Sequence, residues 1–221
     1  MSDGLNMISA ASRYAAAQGE ISARVTARAT LNVGHIVSIG ALSTIYFTLL
    51  ARINGVCPNG TWCASAQNSL PFFPCVIALV STYFACLYSH NDTVLGYLTL
   101  YNKKLEDDHH TSLPSWFSGP WMAQGLAARS WAHAALITLA WASCGLVVLT
   151  GLPQWTPISA RSLIICVAVS LLNTFIFMRV AHLRRALMTR FVYVPSEKPC
   201  EATLRIDPDK HTLWDHFFFL L

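Results

Sequence analysis

Four stretches of this chain run for about the depth of a bilayer without a Lys, Arg, Asp or Glu: Val33 to Leu50, Phe72 to Tyr88, Trp131 to Leu152 and Ser162 to Met178. A helix rising 1.5 Å per residue needs about 20 apolar residues to cross a hydrocarbon core of about 30 Å. Such runs could be buried helices of a soluble protein only if the rest of the chain supplied a charged surface. It does not: 54% of residues are hydrophobic and 12% are charged, where soluble domains carry about 25% charge. Mean hydropathy is +0.44. The expected fold is therefore all-α and integral to a membrane. A four-helix transmembrane domain should cover residues 1–190, opening with an N-terminal amphipathic helix, and a short tail should cover 191–221.

Basic residues decide orientation, because they stay on the cytoplasmic side. The N-terminal arm carries Arg13, Arg24 and Arg28, and the middle loop carries Lys103, Lys104 and Arg129. The tail adds Arg179, Arg184, Arg185, Arg190, Lys198, Arg205 and Lys210, whereas the other two loops hold Arg52 and Arg161. The chain should thus be N-in and C-in. No basic segment, short apolar run and small-residue cleavage site precede the first span, so that span is expected to stay as an anchor. Trp62, Trp116, Trp121, Trp131 and Trp155 fall near span ends, where an indole suits the headgroup region. The net charge of +4 is too small to argue for direct nucleic-acid binding.

Ahead of the first span, Glu20, Arg24 and Arg28 stand at steps of four, on one side of a helix. Neither a Pro nor a Gly pair intervenes, so this helix should enter the span unbroken. The rail reads either as a juxtamembrane anchor on anionic lipid or as an ion-pair seam between helices or subunits. Beyond the second span, Leu95, Leu98, Tyr101 and Leu105 recur at steps of three and four, which predicts an amphipathic extension into the cytoplasm. The segment "SLPSWFSGPWMAQGLAARS" reads as an interfacial stretch along the inner leaflet. In the tail, "FVYVP" and "ATLRI" could pair as a small hairpin. The closing "HTLWDHFFFLL", with Trp214, Phe217, Phe218 and Phe219, should dock on the cytoplasmic helices, the inner leaflet or a partner.

The stretch "AAQGEISARVTARATLNVGHIVSIGAL" resembles the opening of small multi-span membrane proteins that serve as accessories or effectors in bacterial anti-phage and CRISPR-associated systems. Those often begin with a Glu-x3-Arg-x3-Arg helix leading into the first of several spans. The resemblance covers about thirty residues and assigns no site.

Chemistry-bearing residues are sparse. Cys57 and Cys63 flank a Pro-Asn-Gly turn, and a periplasmic loop permits a disulfide between them, with Cys75 as rival partner. Asn32, His35, His133 and Asn173 are the notable intramembrane polar groups. His35, His90, His133 and His182 fall one per span, which a haem-binding subunit would need. No metal motif, nucleophile elbow or phosphate loop accompanies them. No cofactor is therefore expected. Asp92, Glu106, Asp107 and Asp108 read as a solvated acidic run, and the spans hold no acid of the kind proton-coupled transporters use.

Together these readings suggest a non-catalytic homo-oligomer of the bacterial inner membrane, acting as an effector or as a docking accessory for a soluble cytoplasmic protein. Glu20, Arg24, Arg28 and the aromatic tail would form its interface. A small channel or transporter and a haem-binding electron-transfer subunit are the alternatives.

Overall fold

The computed structural model describes residues 10–56, 69–109, 120–151, 158–189, 191–194, 203–206 and 212. Four long helices dominate: α1 Ala10–Val56, α2 Phe73–His109, α3 Pro120–Gly151 and α4 Ile158–Thr189. All four are long and apolar enough to cross a membrane. They contain 47, 37, 32 and 32 residues, so each is at least about 48 Å long and outruns a hydrocarbon core of about 30 Å. A 3-10 turn at Leu70–Phe72, with Pro71 at its start, leads into α2. Proline is tolerated there because a helix's first N–H groups have no intrahelical partner.

Helix α1 runs unbroken from the charged arm through the first span, and α2 continues past its span as expected. The interfacial stretch is corrected in part. Pro120 opens a helix that passes without interruption into the third span, so residues 120–130 are the first turns of α3 rather than a separate surface segment. After α4 the chain forms a two-stranded antiparallel hairpin, β1 Phe191–Val194 with β2 Thr203–Ile206, pairing Phe191 with Ile206 and Val194 with Thr203. Aromatic and β-branched residues favour this extended state.

The chain divides into two compact units. The span unit comprises Ala29–Ser89 and Trp131–Phe177; the flanking unit comprises Met1–Arg28, His90–Ser130 and Met178–Leu221. Along α2, α3 and α4, rows of buried positions follow steps of three and four. In α2 they are Pro74, Ala78, Ser81, Ala85, Tyr88, Asp92, Leu95, Thr99, Asn102 and Glu106. In α4 they are Ser162, Cys166, Ser170, Asn173, Phe177, Val180, Arg184 and Leu187. That alternation averages about 3.6 residues per turn, as for one face of an α-helix packed against its neighbours. The seams are rich in small and polar side chains, as in membrane bundles, where close backbone approach replaces the hydrophobic drive.

Within the span unit, one core joins Ile39, Tyr46, Ile77, Ala78, Ala140, Cys144, Val147 and Cys166, and another joins Ala85, Tyr88, Leu136 and Phe177. Tyr46, fully buried, donates its hydroxyl to the Val147 carbonyl at 3.0 Å. Mid-span Trp141 packs against α4 by donating Nε1–H to Thr174 Oγ1 at 3.0 Å. Of the span-unit cysteines, Cys75, Cys144 and Cys166 are free and buried, and Cys86 is free and exposed. Cys57 and Cys63 lie outside the described residues.

In the flanking unit, α2 and α4 approach closely at Gly96. A Cβ there would meet Leu187 Cδ1 at 2.6 Å and Arg184 Nη1 at 3.0 Å. Replacing Gly96 by valine should overpack this contact and destabilise the protein by about 1–3 kcal/mol. Gly19 has open space around a Cβ inside a helix, so Gly19→Ala should stabilise by up to about 1 kcal/mol. Thermal melts of both variants in neutral detergent check the opposite signs.

Candidate functional site

Two groups of polar side chains are buried, one in each unit. In the span unit, α1 contributes Asn32 and His35, α2 contributes Ser81 and Tyr88, α3 contributes His133 and α4 contributes Asn173. Ser81 is the hub. Its Oγ lies 3.0 Å from His35 Nε2 and accepts a hydrogen bond from the Asn173 amide. The Ser81 hydroxyl, with one donor and two acceptor positions, can serve both partners at once. His35 stacks on Phe84 with ring centroids 5.0 Å apart. Tyr88 donates its hydroxyl to the Asn32 side-chain oxygen, and its ring lies 6.0 Å from that of His133. The His133 ring also packs on Phe177 at 5.2 Å.

The four intramembrane polar groups singled out in the sequence are thus brought together on three neighbouring clusters of contacts within one unit. Two of their atoms, His35 Nδ1 and Asn173 Oδ1, are buried with no hydrogen-bond partner among the described residues. The four histidines divide between the two units. His35 and His133 sit in the span unit, each against Tyr88, whereas His90 is exposed and His182 half-buried in the flanking unit. Among the described residues, no group of three or more His, Cys, Asp or Glu is placed to hold a metal ion.

The second group lies in the flanking unit and corrects the reading of the acidic run as solvated. Asp92 is 1% exposed and Glu106 is 8% exposed; only Asp107 and Asp108 of that run face out. The physical reason is the seam. It continues past the span at steps of three and four through Asp92, Leu95, Thr99, Asn102 and Glu106, so the buried face of the extension is largely polar. Leu98, Tyr101 and Leu105, read as an apolar stripe, are only half-buried. The N-terminal arm meets this face: Tyr14 donates to Glu106 Oε1 at 2.8 Å, and the Asn91 amide donates to the Arg24 carbonyl at 3.0 Å.

Around Asp92 stand three guanidinium groups. Arg28 Nη1 is 3.6 Å from Asp92 Oδ1. Arg184, 4% exposed, donates from Nη1 to the Asp92 carbonyl at 3.4 Å and from Nη2 to Thr99 Oγ1 at 3.1 Å. Arg129 is attracted by Asp92 and repelled by Arg28, and Arg184 is repelled by both arginines. The charged rail therefore splits. Steps of four overshoot a 3.6-residue turn by about 40° each, so the three residues fan across the helix. Glu20 pairs with its own Arg24 at 2.7 Å near the surface, and Arg28 turns inward to Asp92.

Comparison with known proteins returned nothing: no family model, curated protein or solved structure matches this chain.

Sequence reading missed Ser81, Tyr88, Asp92, Arg129 and Arg184. The missing signal is heptad register: Tyr88, Asp92, Leu95 and Thr99 continue the spacing of Ala78, Ser81 and Ala85, and Arg184 stands seven residues after Phe177. Trp214, Phe217, Phe218 and Phe219 lie outside the described residues.

Because Ser81 serves two partners, Ser81→Ala should leave His35 and Asn173 both without it. A loss of about 1–3 kcal/mol is expected. Chemical or thermal unfolding of Ser81→Ala beside Ser43→Ala, on the half-buried face of α1, should show the larger loss for Ser81→Ala.

Proposed function

We propose that this chain is a non-catalytic, oligomeric inner-membrane protein of bacteria, with both termini and the segment between the second and third spans in the cytoplasm. It acts as a membrane effector or as a docking accessory for a soluble partner, in anti-phage defence. The sorting of charge carries this reading. The unit that contains both termini and the middle segment holds Arg13, Arg24, Arg28, Lys103, Lys104, Arg129, Arg179, Arg184 and Arg185, against Arg52 and Arg161 in the span unit. Such a bias favours the cytoplasmic side. The polar groups of the span unit bond one another, which fixes helix register rather than presenting a reactive atom to a substrate.

The oligomeric part is supported by α1. Val33 and Val37 are 63% and 62% exposed, and the same helix exposes Gly40, Thr44 and Thr48 at steps of four. Thr44 and Thr48 donate their hydroxyls to carbonyls of their own helix at 2.9 and 2.8 Å. Small residues at that spacing let two helices approach closely in lipid. The defence role is supported by the Glu-x3-Arg-x3-Arg opening.

A small channel or transporter is the second reading, favoured by the unpartnered His35 Nδ1 and Asn173 Oδ1, which a polar solute could engage.

Four measurements separate these outcomes. A fluorescent protein fused after Leu221 should light up and a phosphatase fused there should stay inactive; the reverse pattern removes the orientation. In a Cys86→Ser background, Thr44→Cys should crosslink to dimer in membranes more than Ile164→Cys on α4, and equal yields remove the α1 contact. Cells expressing the protein should resist phage relative to a vector control. Release of a small dye from proteoliposomes, lost in Asn173→Leu, would favour the channel instead.

A further inference from the structure

The charge cluster of the flanking unit is out of balance. Arg28, Arg129 and Arg184 bring three positive charges to the single carboxylate of Asp92. Asp92 and Arg184 are 1% and 4% exposed, and Arg28 is 22% exposed at its side chain. One carboxylate satisfies one guanidinium in the two-bond geometry that suits the pair; the other two remain. Among the described residues, other acids do not close the gap. Glu20 is taken by Arg24, and Glu106, bonded by Tyr14, stands fourteen residues along α2, about 21 Å away.

The donors tell the same story. Arg28 Nη1, Arg129 Nε and Nη1, and Arg184 Nε are all buried with no hydrogen-bond partner among the described residues. Arg184 is held in place by its two other nitrogens, on the Asp92 carbonyl and Thr99, so its free Nε–H is fixed in direction. Buried guanidinium groups without counter-charge are costly. They are also the group of choice for phosphate, whose oxygens match their forked N–H donors.

We infer that Arg28, Arg129 and Arg184 form a phosphate-binding site, in which Asp92 offsets part of the mutual repulsion of the three guanidinium groups. The four helices supply these residues just beyond the span ends: Arg28 before the first, Asp92 after the second, Arg129 before the third and Arg184 after the fourth. A phosphate at that level can come from the headgroup of an anionic lipid or from a free phosphate ion, and the chemistry of the site is the same.

Full-length protein in nanodiscs tests this. One set, of phosphatidylcholine alone, is titrated with inorganic phosphate. A second set contains phosphatidylcholine with a minority of phosphatidylglycerol and no added phosphate. The readouts are the melting temperature and, by native mass spectrometry, the anion or lipid retained. A rise in melting temperature with retention in the first set assigns a free anion, and in the second set a lipid headgroup. Arg129→Gln should weaken binding about tenfold or more. Asp92→Asn should melt lower without anion, yet bind it more tightly, because the nearest repelling charge is gone; a purely structural ion cluster would show the first effect alone. If Asp92→Asn does not fold, Arg28→Gln at the rim serves as the second variant and should weaken binding. No retention in either set, wild-type binding by Arg129→Gln, or weaker binding by Asp92→Asn would overturn the site.

Discussion

Close approach of helix backbones at seams of small and polar residues is the constraint on which this structure depends. In hydrocarbon, one apolar face is as good as another, so hydrophobicity places a helix in the membrane without saying which side meets its neighbours. Here the choice falls to residues such as Ala78, Ser81, Ala85 and Tyr88 on α2, and Ser162, Cys166, Ser170 and Asn173 on α4. Large apolar side chains, Ile164 at 68% and Leu149 at 67% exposed, are turned outward. Others of that kind, Ile39, Ile77 and Phe177 among them, fill the core beside the small residues.

This mixture of large and small apolar residues on both faces decides what a reader of the sequence can recover. Span number and the continuity of α1 and α2 follow from hydropathy and from the absence of helix breakers, both of which are one-dimensional properties. The inner faces do not. A search for apolar periodicity in "VLGYLTLYNKKLEDD" selects Leu95, Leu98, Tyr101 and Leu105, whereas the buried positions there are Leu95, Gly96, Thr99, Leu100, Asn102 and Glu106. Hydrophobic period is a sound guide where burial is driven by water. It fails where the seam is inherited from a neighbouring transmembrane segment whose packing rests on size and hydrogen bonding. Asp92 was hidden for that reason. On its own it looks like the first of a charged run, and only the register running back through Tyr88 and Ser81 places it inside.

The two polar groups differ in kind. Around Ser81 the partners are neutral, and each bond removes a polar atom from an apolar setting, so the gain is mainly in not leaving these atoms alone. Around Asp92 the partners are charged, and removal of any one changes the field felt by the other three. Double substitutions at the first site should therefore be roughly additive once Ser81 is gone, because its partners then lack a shared group. At the second, coupling persists between Arg129 and Arg184 even without direct contact, since like charges repel across a buried space with weak screening.

That repulsion has a consequence for how the flanking helices hold together. Arg184 on α4 is fastened to α2 through Thr99 and the Asp92 carbonyl, and Gly96 lets it come near enough to do so. Arg129 and Arg28 push against it. An arrangement of this sort is stable while the positive charge is offset and loosens when it is not, so the Asp92 carboxylate, which attracts both Arg129 and Arg184, helps to keep α4 on α2.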